Sequence, residues 1–304
     1  MKVLVATEKP FAKVAVEGIR NIVEGAGHQL SLLEKYTSNE DLYKAVADAD
    51  AMIVRSDKVT KEVVENAAKL KIVVRAGAGY DNLDLAACSE KSIVAMNTPG
   101  QNSNAVAELA IGMMIYVSRN CFTPGTGSEL KGKKVGIHAY GNVGKLVAKL
   151  AKGFDMEVYA FDPFVPTEVM QKEGVKVCSS IEELYSTCDF VSLHIPATAQ
   201  TKKSIGFKKK KKMPKGACLV NTARKEVINE EEIVKVLSER ADLKYVTDIA
   251  ADNQAELNEK FANRVFASPK KMGAETAEAN INAGLAAANQ IVKFFATGDT
   301  TFQL

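Results

Sequence analysis

The segment Ala139-Tyr140-Gly141-Asn142-Val143-Gly144 puts small residues at the three glycine positions of a G-x-G-x-x-G turn, with alanine in the first. Such a turn presents main-chain N–H groups to phosphate. The first small residue lets the chain reverse, Gly141 lets the backbone approach a pyrophosphate, and Gly144 lets a helix lie close on a strand. The N–H groups at the helix start, around Asn142 and Val143, then face the anion. Asp162 follows roughly 20 residues beyond the turn, where a carboxylate accepts hydrogen bonds from an adenosine ribose and repels a 2′-phosphate. The pattern points to NAD rather than NADP. Alanine in the first slot fits if that position takes a negative φ, because alanine cannot supply a conformation reserved for glycine.

Three arginines suggest a second chemistry. Arg224 follows the apolar run Ala217 to Asn221, and its planar fork can grip a carboxylate bidentately. Arg75 precedes the small-residue turn Gly77-Ala78-Gly79, whose exposed N–H groups could cradle a carboxylate. Arg55 and Ser56 close an earlier apolar run and could hold a phosphate. Removing hydride from a 2-hydroxy acid needs such groups: one grips the carboxylate and developing carbonyl, and another takes the hydroxyl proton.

The elements that must position these residues are legible as alternating runs. Lys134 to His138 reads as a strand, and Val143, Leu146, Val147, Leu150 and Ala151 recur at helical spacing up to a capping Gly153. Earlier strands are expected at Val3 to Ala6, Leu30 to Leu33, Ala51 to Val54, Ile72 to Val74 and Ile93 to Ala95, with helices between them. Later strands are expected near 175–178, 189–194, 217–221, 243–248 and 264–267. This alternation calls for βα units and an α/β fold of two open parallel-sheet domains. The boundaries predicted are 1–97 with 275–304 for one domain and 98–274 for the other, inserted one. A long helix bearing Val106, Leu109, Ala110, Met113, Met114 and Val117 opens the inserted domain, and a last helix from Thr276 to Thr297 is long enough to return to the first.

A length of 304 residues suits two domains, and a net charge of +3 excludes a broad nucleic-acid-binding face. The run Lys208 to Lys212 reads as a solvated helix face. The five cysteines are odd in number and never form C-x-x-C, which predicts reduced thiols, no metal site and a cytoplasmic protein. Met1 leads at once into an apolar strand-like run, so no secretory signal is expected, and no apolar stretch is long enough for membrane insertion.

Taken jointly, several motifs make the chain resemble the D-isomer-specific 2-hydroxy acid dehydrogenases over nearly every residue. They are Val54-Arg55-Ser56, the segment Arg75 to Asn82, the segment Asn97 to Asn102, the glycine turn, Ser192 to Pro196, Asn221 to Arg224, Asp248, and Gly273 to Thr276. Within that family the chain is most similar to the short D-3-phosphoglycerate dehydrogenases that lack a C-terminal regulatory domain. The resemblance implies a Rossmann nucleotide-binding domain inserted in a flavodoxin-like substrate domain, NAD as cofactor, and a homodimer. It implies oxidation of D-3-phosphoglycerate to 3-phosphohydroxypyruvate, the first step of serine synthesis. Implied cofactor contacts lie at Ala78, at His194, Ile195 and Pro196, at Thr222 and Ala223, and at Asp248, Gly273 and Ala274. Implied substrate contacts lie at Arg55, Ser56, Arg75, Gly77 and Asn102. Two alternatives come from the same family: a glyoxylate or hydroxypyruvate reductase, and an NAD-sensing binding protein without catalysis.

One departure bears on mechanism. Family members usually carry a histidine two residues before the glycine aligned with Gly273, backed by a glutamate after the aspartate aligned with Asp248. Here Lys271 stands at the first place, Asp248 is followed by Ile-Ala-Ala-Asp-Asn-Gln, and none of the three histidines lies in that loop. Either Lys271 transfers the proton, with Arg224 as its catalytic partner, or only NAD binding survives. A lysine base needs a pKa lowered by roughly 2 to 3 units from about 10.4. Arg224, partial burial and Lys270 are expected to push that way, and the missing glutamate removes an acid that would push back. With the chain ending at Leu304, no appended regulatory domain and no feedback through one are expected.

Overall fold

The computed structural model describes residues 1–206 and 211–304. Within the lysine run, Lys208 to Lys210 lie outside the described residues, whereas Lys211 and Lys212 are exposed and Lys211 pairs with Glu239. The chain forms two compact units, Met1–Asn102 with Glu275–Leu304, and Ser103–Ala274.

In the first unit, β1 (Lys2–Thr7), β2 (Gln29–Glu34), β3 (Ala51–Val54), β4 (Ile72–Arg75) and β5 (Val94–Asn97) pair in parallel in the order β2-β1-β3-β4-β5. Every residue of β3 is buried, as a strand covered on both faces requires. Helices α1 (Lys13–Gly25), α2 (Asn39–Val46), α3 (Lys61–Asn66) and α4 (Leu85–Glu90) connect the strands. Helix α1 and the closing helix Ala277–Thr297 cover one face, where Ile19 and Val23 pack with Ala283, Ala287 and Ile291 over Val3 and Val5. The two helices approach closely because Gly18 has no side chain: a Cβ there would lie 2.4 Å from Leu285.

The predicted domain break at 97/98 moves to 102/103, and hydrogen bonds explain why. The Thr98 N–H donates to the Gly77 carbonyl at 3.0 Å, and the Asn97 side chain donates to the Ala78 carbonyl at 2.7 Å. Gln290, buried on the closing helix, donates to the Asn97 carbonyl at 3.0 Å. The segment after β5 therefore stays tied to the first sheet.

The second unit opens with α5 (Ser103–Ser118), whose Met113 and Met114 are core residues. Its sheet comprises β6 (Lys134–His138), β7 (Glu157–Phe161), β8 (Lys176–Val177), β9 (Phe190–Leu193), β10 (Cys218–Asn221), β11 (Lys244–Thr247) and β12 (Val265–Ala267). All seven are parallel, in the order β12-β11-β10-β9-β6-β7-β8. Chain order reverses between β6 and β9, so the loops leaving these two strands diverge and open a crevice at their carboxyl ends. Helices α6 (Asn142–Gly153) and α7 (Thr167–Lys172) follow β6 and β7. The five cysteines are unpaired thiols. Among the described residues, no group of His, Cys, Asp and Glu could hold a metal, and no helix is long and apolar enough to cross a membrane.

The turn between β6 and α6 departs from expectation at its alanine. Ala139 has φ +80°, not a negative value. The cause is crowding: α6 lies so close that a Cβ at Gly144 would sit 2.3 Å from the Ala139 carbonyl oxygen and 2.9 Å from Ile137, so the chain must turn away at once. A left-handed alanine costs about 1–2 kcal/mol. Ala139→Gly should therefore stabilise the protein by about 0.5–1 kcal/mol after the extra unfolded-state entropy of glycine is subtracted, read as a higher urea midpoint with an unchanged slope. Gly144→Ala should lower the same midpoint.

Candidate active site

The carboxyl edge of the second sheet collects most of the residues marked by sequence. The glycine turn leaves β6, Asp162 follows β7, His194 follows β9, Thr222 to Arg224 follow β10, and Asp248 follows β11. At the start of α6, Gly141 occupies the cap position without any side-chain hydrogen bond, and a Cβ on it would meet nothing within 4 Å. The N–H groups at Asn142 and Val143 thus begin a helix whose positive end is uncapped. Asp162 is held from two sides: its Oδ2 accepts from the Tyr140 N–H at 2.7 Å and its Oδ1 from the Phe164 N–H at 2.8 Å. It lines an open cavity of about 630 Å³ formed by residues 161–167 and 177–179 with Gln171.

Next along the edge, the His194 N–H donates to the His138 carbonyl at 2.9 Å. Burial, then the neighbouring His138, pushes the His194 pKa down to about 3, so its imidazole is neutral at physiological pH. Ile195 is buried, and the Pro196 carbonyl accepts from the Thr201 hydroxyl at 2.5 Å. His194 Nε2, Thr222 Oγ1 and Asp248 Oδ1 are all buried without a hydrogen-bond partner among the described residues. Each such orphan costs about 1–3 kcal/mol. Their position on three neighbouring strand ends, beside an uncapped helix start, fits an edge shaped for a polar, phosphate-bearing ligand such as a dinucleotide.

Lys271 joins this edge from the loop after β12. Its Nζ donates to the Ala223 carbonyl at 2.5 Å and lies 3.8 Å from Asp248 Oδ1. The same Ala223 carbonyl accepts from Arg224 Nη1 at 3.0 Å. Asn221 braces this turn, its amide donating to the Arg224 carbonyl and accepting from the Ala223 N–H, each at 3.0 Å. Asp248 Oδ2 accepts from the Gly273 N–H at 3.0 Å, and a Cβ at Gly273 would be 2.7 Å from that oxygen. Ala274 follows, half-buried.

Burial lowers the Lys271 pKa below the ordinary lysine value; Asp248 opposes the shift, Arg224 adds to it, and Glu226 opposes it. Two expectations are corrected here. Lys270 is not among the groups that depress Lys271, and an acid does stand beside the amine, since Asp248 faces it directly.

Arg55, Ser56, Arg75, Gly77, Ala78 and Asn102 belong to the first unit, where Arg55, Arg75 and Gly77 meet. Arg55 leaves the end of β3 and donates through Nη1 to the carbonyls of Lys9 and Pro10 and through Nη2 to Asn280 at 2.6 Å. Its guanidinium also lies over the Phe11 ring, 5.2 Å from the centroid. Arg75 Nε donates to the Arg55 carbonyl at 3.1 Å. Gly77 takes φ +149°, and a Cβ there would strike the Arg75 guanidinium at 1.7 Å, so only glycine leaves room for that side chain. The Gly77 N–H donates to the Arg75 carbonyl at 2.9 Å, so this amide is not the exposed donor expected of the small-residue turn. Ser56 is exposed and Asn102 half-buried.

Sequence reasoning passed over three residues in these clusters. Asp57, buried, accepts from the Glu8 N–H at 2.6 Å, the Tyr36 hydroxyl at 2.8 Å and the Arg55 N–H at 3.4 Å. Asn82 donates to the carbonyls of both Arg55 and Asp57. Asn280, on the closing helix, receives Arg55. An aspartate two residues after an arginine at a strand end was the available signal for the first. Nothing local marks Asn280, which lies 225 residues from its partner.

Residues 113–269 match the family model of the D-isomer specific 2-hydroxyacid dehydrogenase NAD-binding domain. The D-3-phosphoglycerate dehydrogenase of Methanocaldococcus jannaschii is 36% identical over 84% of this chain and 52% of its own length, so the chain spans about half of that relative. The hydroxypyruvate reductase of Thermotoga maritima is 34% identical over 93% of this chain and 95% of its own. The NAD+-bound 3-phosphoglycerate dehydrogenase of Entamoeba histolytica superposes with a TM-score of 0.87 at 50% identity, covering 100% of this chain and 98% of that one. The chain therefore belongs to the D-isomer specific 2-hydroxyacid dehydrogenases, and its second unit carries their NAD-binding domain.

Proposed function

We propose that this protein oxidises D-3-phosphoglycerate to 3-phosphohydroxypyruvate with NAD. The observation that carries the reading is the cluster of Lys271, Arg224 and Asp248 on a strand edge that also presents three buried polar atoms without a hydrogen-bond partner among the described residues. Support for the phosphorylated substrate comes from Arg55 and Arg75 in the first unit and from the 50% identity to the Entamoeba histolytica enzyme.

NAD, when bound, supplies the hydride acceptor. Gly141 to Gly144 would receive its pyrophosphate and Asp162 its adenosine ribose. His194, Thr222 and Asp248 would offer the remaining hydrogen bonds, with His194 neutral. Ile195, Pro196, Ala223, Gly273, Ala274 and Ala78 would complete the contacts. Arg224 grips the substrate carboxylate and the oxygen that becomes the carbonyl. Lys271 in its neutral form takes the hydroxyl proton. Arg55 and Ser56 hold the phosphate, while Arg75, for which Gly77 leaves room, and Asn102 take the carboxylate side. Arg55 keeps capacity for this task, because its present hydrogen bonds use only its two terminal nitrogens.

The match to the Thermotoga maritima hydroxypyruvate reductase over almost its full length favours a second reading, an unphosphorylated 2-hydroxy acid as substrate. Steady-state NADH formation with phosphoglycerate against glycerate separates the two. A kcat/KM for glycerate equal to or above that for phosphoglycerate overturns the first. Within it, Arg55→Ala should raise the KM for phosphoglycerate by about 10-fold or more while the dissociation constant of NADH stays put; a KM like the parent's would move the phosphate site elsewhere.

The Lys271 assignment has a pH signature. Oxidation needs the neutral amine, so its rate rises with pH through the Lys271 pKa, and the lowered pKa brings that rise below the roughly 10.4 of an ordinary lysine. Reduction needs the ammonium as donor and declines over the same range. Lys271→Ala should lose about 10²–10⁴-fold in kcat, flatten both limbs, and still bind NADH. Near-parental turnover in this variant, checked by pH–rate profiles in both directions, would transfer the role to another group.

A further inference from the structure

Tyr140 is the one bulky residue in the glycine turn, and its side chain is 1% exposed. It makes two hydrogen bonds that converge on a single segment. Its main-chain N–H donates to Asp162 Oδ2 at 2.7 Å, at the start of the stretch from β7 into α7. Its phenol donates to Glu173 Oε2 at 2.7 Å, at the residue that caps the end of α7. Glu173 is itself tethered, since Lys152 of α6 donates to its carbonyl. The ring between these two bonds sits in the core with Ile137, Val147 and Met170. A core tyrosine with no polar task could as well be phenylalanine; here the hydroxyl reaches a carboxylate, the stronger kind of neutral-to-ion hydrogen bond.

The consequence lies in what the segment carries. Asp162 lines the cavity formed by residues 161–167 and 177–179, and its second oxygen is held by the Phe164 N–H. The preceding alanine is in the strained left-handed conformation, so the turn needs an anchor to keep its shape. We propose that Tyr140, tied to Glu173, is a positioning residue that fixes the distance between the phosphate-binding turn and Asp162 and thereby sets the preference for a 2′-hydroxyl over a 2′-phosphate. With the segment 162–173 tied to Tyr140 at both ends, the Asp162 carboxylate cannot withdraw to admit a 2′-phosphate. The inference rests on the reading that this turn and Asp162 hold the dinucleotide.

The test is binary binding of NADH and NADPH to the full chain, followed by the reduced nicotinamide's own fluorescence, with no substrate present. Tyr140→Phe keeps the ring and removes one hydrogen bond. It should raise the NADH dissociation constant about 3- to 10-fold and narrow the NADH-to-NADPH ratio. Glu173→Ala should reproduce both effects, whereas Glu173→Gln, whose amide oxygen still accepts from the phenol, should restore the parental values. Asp162→Ala serves as the reference arm. If that variant leaves the ratio unchanged, the placement of the cofactor fails and the inference with it. If Asp162→Ala shifts the ratio and Tyr140→Phe does not, positioning by Tyr140 is overturned while the placement stands. Parallel losses of NADH and NADPH in Tyr140→Phe also overturn it, because general loosening of the turn changes both affinities alike.

Discussion

Asp248 sets the constraint on which the carboxyl edge of the second unit's sheet depends. Its carboxylate has no exposure to solvent, accepts one hydrogen bond from the Gly273 N–H, and leaves its other oxygen without a hydrogen-bond partner 3.8 Å from Lys271 Nζ. A buried charge is tolerated only when its surroundings compensate it. The loop after β12 supplies that compensation with an amide from Gly273 and a cation from Lys271, and so the loop is drawn onto the ends of β10 and β11. Gly273 must be glycine for the approach to be possible, since a side chain would press on the carboxylate. The position of Lys271 thus follows from the need to satisfy Asp248, before any substrate enters.

The same attraction limits how good a base Lys271 can be in the role proposed for it. Burial and Arg224 favour the neutral amine, while Asp248 and Glu226 favour the ammonium, and burial is the largest of these influences. An imidazole in this place would need a second partner to fix its tautomer and ring orientation, which is the task a glutamate performs in the usual dyad. An ammonium has three equivalent donors on a freely rotating carbon. It can face Asp248, bond the Ala223 carbonyl and still present a hydrogen outward, so the site can do without that glutamate.

The fold was legible from alternation alone because fully buried parallel strands leave uninterrupted apolar runs, as in Ala51–Val54 and in Val3 to Ala6. The glycine turn and Asp162 were legible because their chemistry is local: small residues and an acid at fixed spacing. The sequence left the φ of Ala139 as a condition; the structure gives it +80°, beside the close approach of α6 that Gly144 permits. Asp248 was marked as a cofactor contact but not as the acid beside Lys271. The two lie 23 residues apart in sequence and meet only because neighbouring strands end on the same edge. The tethers of Arg55 were hidden for the same reason, since Lys9 and Pro10 come from one distant stretch of the first unit and Asn280 from another.

The carbonyl of Ala223 ties the two halves of the proposed chemistry together. It accepts from Arg224 and from Lys271 at once, and Asn221 holds its turn rigid. An ammonium hydrogen bond to a carbonyl is stronger than that of a neutral amine. When Lys271 carries its proton, the shared oxygen is more heavily engaged and competes less for Arg224; when it is neutral, that oxygen draws Arg224 more. The protonation state of Lys271 and the resting contact of Arg224 are therefore coupled through one atom. Such coupling arises wherever a short turn at a strand end offers a single carbonyl to two cations, and here it links the group proposed to take the proton to the group proposed to orient the substrate.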